Sequence, residues 1–174
     1  MAKLENVIEV LGKLKDLKRS GWLRKEISES ESVADHSFGV AFLVLLLAPA
    51  HLDKEKCLKM AVIHDIQEAI VGDMTPFDGA CLEHKAEKEK AAVSELAQKL
   101  DYPELITLFE EYEAKETPEA QFVKDIDRIE AVLQAKYYDD NSRGLTALPE
   151  FCAYAQKHLC SNDKIFAEIL DEIE

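Results

Sequence analysis

Three short clusters of imidazole and carboxylate interrupt apolar helical stretches of this 174-residue chain. The densest is Ala61-Val-Ile-His64-Asp65-Ile-Gln-Glu68-Ala-Ile-Val-Gly72-Asp73, where His64, Asp65 and Glu68 stand among Met60, Val62, Ile63, Ile66, Ala69 and Ile70. On a helix, spacings of three and four residues gather these side chains into one polar patch. Two carboxylates buried together are costly without a cation, and a metal ion supplies one. Asp35-His36-Ser37 opens the most apolar segment, and Asp125 and Asp127 lie among Phe122, Val123, Ile126 and Ile129. Each of these aspartates is about 100° from Ile126 on a helix, one on either side of the apolar stripe, so periodicity does not choose between them. Two His and two Asp from three helices would form a mixed nitrogen–oxygen site with positions open to water and substrate. Such a site suits a divalent Mn, Co, Fe, Ni or Zn ion. The plainer alternatives are a core histidine at 36, a surface pair at 64–65 and an Asp127 paired with Lys124.

The elements that must carry these residues are helices. Leu4, Val7, Ile8, Leu11, Leu14 and Leu17 recur at helical spacing, and Ser20-Gly21 ends that run. A polar stretch follows to Ser32, which with Asp35 forms a capping-box variant opening a second helix over 33–47. This helix is apolar nearly all round, which predicts a central, buried position. Asp53 caps a third helix extending to about Val71, closed by Gly72, and residues 72–81 form a turn-rich loop. Further helices are expected over 83–100 and 104–115, from Thr117-Pro118 to about Asp140, and over 149–159 and 163–173. The reading is all-α: a single-domain helical bundle over 1–174, with its core at about 4–140 and C-terminal helices at 149–173.

Charge limits the partners. The chain carries 21 Lys+Arg against 35 Asp+Glu, a net of −14, which argues against duplex nucleic acid. Residues 1–25 hold seven basic and three acidic groups, so fixed positive charge for a small anion would come from the N-terminal segment. The longest apolar run, Val40 to Ala50, is 11 residues, against roughly 20 needed to span a bilayer. No signal-peptide pattern opens the sequence, and no membrane association is expected. Cys57, Cys81, Cys152 and Cys160 form no C-x-x-C pair, so reduced thiols and a cytoplasmic location are expected. Cys81-Leu-Glu-His84 has the spacing of half a zinc site but no second half. His51, His84 and His158 read as surface residues.

Taken in order, Glu31-Ser-Val-Ala-Asp-His36-Ser, His64-Asp65-x-x-Glu68, Gly72-Asp73-x-Thr-Pro76 and Val123-Lys-Asp-Ile-Asp127 resemble the HD-domain metal phosphohydrolases. More narrowly, they resemble the YfbR-like 5′-deoxynucleotidases and their archaeal and eukaryotic relatives. The resemblance covers roughly residues 4–140. It implies His36, His64, Asp65 and Asp127 as ligands of one divalent metal ion, and so selects Asp127 over Asp125. It implies Glu68 as the catalytic carboxylate and Asp73 as a second acidic residue of the same pocket. Arg19 and Trp22 best match the family's substrate-contacting Arg and Trp, although two residues separate them here where some members have them adjacent. The expected substrate is a 5′-deoxyribonucleoside monophosphate, with Arg19 on the phosphate and Trp22 either packed on the deoxyribose or an ordinary core or hinge residue. The expected assembly is a homodimer or higher.

Other branches fit less well. The Gly-Tyr-Pro motif of cyclic-dinucleotide phosphodiesterases is absent, Ala69 stands where alarmone hydrolases carry Asp, and the chain is short for a dNTP triphosphohydrolase. A two-iron oxygenase would need more histidines between 64 and 127, where the sequence offers only His84. The alternative from another class is a metal-free helical interaction module.

Overall fold

The computed structural model describes residues 3–27, 29–74, 82–141, 148–161 and 164–173. It is all-α. The helices are α1 (Leu4–Asp16), α2 (Ser20–Leu23), α3 (Val33–Leu47), α4 (Lys54–Ile63), α5 (Glu68–Val71), α6 (Leu82–Lys99), α7 (Glu104–Ala114), α8 (Pro118–Asn141), α9 (Leu148–His158) and α10 (Lys164–Ile173). Among the described residues no helix is long and apolar enough to cross a membrane. Most of the expected loop at 72–81 and most of the break before α9 lie outside the described residues, as does Cys81 of the half zinc site.

The chain divides into two compact units. The first comprises Met1–Phe38 and Val62–Glu110. Here α5 packs against both α1 and α6. The Asn6 side-chain amide donates to the Lys99 carbonyl at 2.7 Å, and Lys99 Nζ reaches Glu9 at 2.7 Å. Val10, Trp22, Val93, Leu96 and Leu105 are buried in this unit.

Three departures from the periodicity occur here, each with a local cause. First, α1 stops at Asp16, and residues 17–19 run extended against 31–33. Val33 N donates to Leu17 O at 2.9 Å and Arg19 N to Glu31 O at 3.2 Å, around an antiparallel bridge between Lys18 and Ser32. The short α2 follows. Apolar spacing alone carries the first helix too far, because Leu17 packs equally well from an extended backbone.

Second, the single helix expected over 53–71 is broken at His64–Gln67. Backbone bonds there run from Ile66 N to Ile63 O (3.0 Å), Glu68 N to Asp65 O (3.1 Å) and Ala69 N to Ile66 O (3.2 Å). This winding of three residues per turn brings side chains at i and i+3 into line, which sets Asp65 and Glu68 on one side. Gly72 then closes α5 at φ +77°, a conformation that L side chains rarely adopt; nothing lies within 4 Å of where its Cβ would be, so backbone conformation and not space requires glycine.

Third, α3 is not buried all round. Phe38, Phe42, Leu45 and Leu46 recur at helical spacing along an exposed stripe, Phe38 at 72% exposure, while Val33, His36, Val40 and Val44 are buried. A uniformly apolar helix carries no moment to say which face turns inward.

The second unit comprises Gly39–Ala61 and Glu111–Glu174. In it α8 packs on α9 and α10, and α10 meets α9. The Phe122 and Phe166 rings lie 5.9 Å apart beside buried Ile126, Ile129, Cys152 and Leu170. A Cβ at Gly39 would meet the Glu130 carboxylate, which would have to shift to admit it.

The capping box expected at the start of α3 is present. Asp35 Oδ2 accepts from Ser32 N at 2.8 Å and from Ser32 Oγ at 2.7 Å, and Asp35 N donates back to Ser32 Oγ at 3.1 Å. These bonds hold the Asp35 carboxyl below its ordinary value, the Ser32 backbone N–H contributing most. Ser32→Ala is expected to cost about 1 kcal/mol. Because the carboxyl is depressed in the fold, its contribution is present above pH 3.8 and lost on acidification below it. Thermal melts of Ser32→Ala and wild type should therefore differ at pH 7, and the difference should narrow without vanishing once the Asp35 carboxyl is protonated, because Ala keeps the Ser32 backbone N–H bond and wild type keeps the Asp35 N–Ser32 Oγ bond at every pH.

Candidate metal centre

His36 stands in the first turn of α3, one residue past the capping aspartate, and His64 where α4 gives way to the tight turns. Both are buried, at 0% and 1% exposure. Their Nε2 atoms face each other at 3.3 Å, with the rings edge-on at 65°. Asp65 Oδ2 lies 3.2 Å from His64 Nε2 and 3.9 Å from His36 Nε2. Three donors from two parts of the sequence thus meet at one point.

The spacing has a direct chemical reading. Imidazole and carboxylate atoms about 2.1 Å from one divalent ion, at angles between 90° and 109°, stand about 3.0–3.4 Å apart. The His–His and His64–Asp65 distances fall in that range, and the His36–Asp65 distance of 3.9 Å lies just beyond it. Two imidazole nitrogens at such a distance are satisfied by one shared proton or by one cation taking both lone pairs. The set of one carboxylate and two imidazoles suits a borderline divalent metal, so these three residues fit the implied ion.

Charge around the cluster is arranged to match. Arg19 NH1 reaches Asp65 Oδ2 at 3.1 Å. Its approach is fixed on both sides: Arg19 N is held by the pairing with Glu31, and the next residue is held by Asp73. Ser20 N donates to Asp73 Oδ2 at 2.6 Å, and Ser20 Oγ donates to the Asp73 carbonyl at 2.8 Å. Asp73, expected as a catalytic acidic residue, therefore spends a carboxylate oxygen on the start of α2 and positions Arg19.

Glu68 opens α5 and is buried, and among the described residues its Oε2 has no hydrogen-bond partner. Burial first, then the Asp65 and Asp73 carboxylates, push its carboxyl up to about 10, against the opposing pull of Arg19 and Lys85. Without a bound cation it therefore carries a proton at neutral pH. Beside it lies an open cavity of about 500 Å3, lined by Lys13, Asp16 and Leu17 from the α1 end and by Glu68, Ala69, Ile70 and Gly72 from the α5 side.

Trp22 lies in the core. Its ring is 1% exposed and its indole N–H donates to Glu31 Oε1 at 2.8 Å. It acts as a core residue behind Arg19. Glu31 and Ser20, which place Trp22 and Arg19, were not singled out from the sequence as site residues. Neither spacing nor periodicity marks them, because their partners are remote in sequence.

In the second unit, Asp125 and Asp127 have different surroundings. Asp125 is 0% exposed. Its Oδ1 accepts from Cys160 N at 2.6 Å and Arg128 NH1 at 3.1 Å, and its Oδ2 accepts from Ser161 N at 2.8 Å. Both oxygens are committed to the chain end of α9. Asp127 accepts a hydrogen bond from the Tyr112 hydroxyl at 3.0 Å. Lys124, the alternative partner considered for Asp127, instead pairs with Glu113 at 2.8 Å and sits over the Tyr112 ring at 3.8 Å. His51, His84 and His158 are exposed, and Cys57, Cys152 and Cys160 are free thiols.

This arrangement coincides with a known family. The chain belongs to the HD domain family, which matches residues 11–165. Among individual relatives, the 5′-deoxynucleotidase HDDC2 of Xenopus laevis is 38% identical over 147 residues, covering 83% of this chain and 73% of that protein. The 5′-deoxynucleotidase hdd1 of Schizosaccharomyces pombe is 39% identical over 151 residues, covering 83% and 76%. Among solved structures, the PH0347 protein of Pyrococcus horikoshii OT3 is similar with a TM-score of 0.78 and 37% identity, over 98% of both chains.

Two measurements test the local assignments. Asp125→Asn should lower stability by about 1.5–3 kcal/mol, the range for hydrogen bonds to a charged group, read from denaturant unfolding. For Glu68 the sign is opposite to that of Asp35. A carboxyl raised in the fold favours folding fully below its unfolded value of 4.5 and loses that contribution as pH climbs toward 10. Metal-stripped wild type should therefore lose stability relative to Glu68→Gln between pH 5 and 9, by up to about 1.4 kcal/mol per pH unit. Parallel stability curves would show that Glu68 is ionised in the fold.

Proposed function

We propose that this chain is a metal-dependent 5′-deoxynucleotidase, a hydrolase releasing phosphate from 5′-deoxyribonucleoside monophosphates. The observation that carries the reading is the convergence of His36, His64 and Asp65, with Arg19 against the same carboxylate oxygen. The activity printed for the similar Xenopus and fission-yeast proteins supports the substrate class.

The ligand set is His36, His64, Asp65 and Asp127. For Asp127 the support is that Asp125 is already spent on backbone amides while Asp127 accepts from a side-chain hydroxyl. A divalent ion of the Mn, Co, Fe, Ni or Zn class acidifies water and offsets phosphate charge when bound. The protein's residues do the remainder. Arg19 offers a planar, permanently charged fork to the phosphate oxygens, exchanging Asp65 for substrate. Glu68 gives its proton to the leaving 5′ oxygen as that oxygen's bond to phosphorus breaks, and takes one back from the water whose hydroxyl joins phosphorus. The cavity beside Glu68 gives the nucleoside room, and Trp22 stiffens the wall that presents Arg19.

The remaining parts of the proposal concern setting. One HD domain extends over residues 1–174. The exposed apolar stripe of α3 supports a homodimer or larger homo-oligomer. The net charge of −14 supports a small-molecule substrate and not duplex nucleic acid, and no membrane partner is invoked. Free thiols at Cys57, Cys152 and Cys160 support a reducing compartment, the cytoplasm.

A phosphate-release screen of 5′-deoxyribonucleoside against ribonucleoside monophosphates, over a panel of divalent cations, tests the reading. Release is expected only with added metal and faster from the deoxy series. Asp127→Ala should lose both metal and turnover with helicity retained, whereas Asp125→Asn should keep its metal. Arg19→Ala should raise KM about 10- to 100-fold, the worth of a charged hydrogen bond. Metal-independent release, or an unchanged KM in Arg19→Ala, would contradict these roles.

A further inference from the structure

A buried tyrosine hydroxyl requires a partner, and Tyr112, 1% exposed on α7, gives its hydroxyl proton to Asp127 Oδ2 at 3.0 Å. On the ring face stands Lys124 Nζ, 3.8 Å from the centroid, and Glu113 holds that ammonium at 2.8 Å. Lys124 precedes Asp127 by three residues on α8, so one helical turn carries both the carboxylate and the cation that polarises its donor. A cation over an aromatic face draws electron density from the ring. This strengthens the phenol as a donor and sharpens the bond to Asp127. The three residues form a chain: Glu113 fixes Lys124, Lys124 seats the ring, and the ring aims its hydroxyl at the carboxylate.

We infer that Tyr112 is a positioning residue of the metal centre, orienting the Asp127 carboxylate for coordination, with Lys124 seated over its ring. The inference rests on Asp127 being a ligand, and it adds a residue outside the four motif blocks. A carboxylate that already accepts from a fixed phenol loses less orientational freedom when it coordinates, so affinity is set partly by the phenol. Partners of this kind change metal affinity by roughly 10- to 100-fold when removed.

The test uses the full-length protein, stripped of metal and titrated with Co2+ or Mn2+ alone, with affinity read calorimetrically and the Co2+ visible spectrum recorded. Tyr112→Phe keeps the buried ring and removes only the hydroxyl. Its Co2+ dissociation constant should rise about 10- to 100-fold, and its visible bands should shift. Its turnover should recover as metal is raised. Lys124→Met keeps the hydroxyl and removes the cation, and should weaken Co2+ by about two- to fivefold, the worth of an exposed cation–π contact. Wild-type affinity and spectrum in Tyr112→Phe overturn the inference. If Tyr112→Phe does not fold, Lys124→Met decides, and wild-type affinity there overturns the inference equally. Asp127→Ala separates this result from the broader proposal: loss of metal in Asp127→Ala beside intact binding in Tyr112→Phe removes only the role of Tyr112, while intact binding in Asp127→Ala removes both.

Discussion

Two imidazoles and a carboxylate held out of bulk water at contact distance are tolerable only if something positive, or a shared proton, lies among them. The structure is organised around that requirement. His36 is buried in the first turn of α3 and His64 just past the end of α4, and Asp65 is set by the tight turns that follow. Beside them Glu68 stands in a site that disfavours its charge. Removing water from such a cluster raises the cost of every unpaired charge and increases the value of every compensating one. A cation-binding centre is the arrangement in which these costs cancel.

The second feature is how positive charge reaches an acidic protein's working site. With 35 acidic residues against 21 basic ones, a freely mobile arginine would find many competing carboxylates on the surface. Arg19 is instead held from both sides, by the extended pairing of 17–19 with 31–33 and by the Asp73 carboxylate on the next backbone amide. Gly72 permits the reversal of direction that brings Asp73 there. An acidic residue next to Glu68 thus does structural work: it places a guanidinium while its own charge helps keep Glu68 protonated.

Much of this was legible in the amino-acid order, and the rest was not for identifiable reasons. The long helices announced themselves by spacing, and Ser32 with Asp35 gave the start of α3 because capping uses residues three apart. His64, Asp65 and Glu68 stood out because polar groups in an apolar run must have partners. Periodicity could not separate Asp125 from Asp127, since both flank the same stripe; the difference lies in Cys160 and Ser161, more than thirty residues away. The exposed stripe of α3 was hidden for the same reason, and the same ambiguity left Trp22 open between ligand and core. Residue type says that a side chain is apolar, and only tertiary packing says whether it meets ligand, solvent or core. The interruption at His64–Gln67 was invisible because tight turns and α-helix share nearly the same apolar pattern.

The central claim is one divalent ion held by His36, His64, Asp65 and Asp127. A crystal structure of the Mn2+-loaded protein, with anomalous data collected at the manganese edge, measures it directly. One strong anomalous peak per chain is expected, about 2.0–2.3 Å from the two Nε2 atoms and a carboxylate oxygen of each aspartate. A peak elsewhere, no peak at saturating Mn2+, or an Asp127 carboxylate outside coordination range would contradict it.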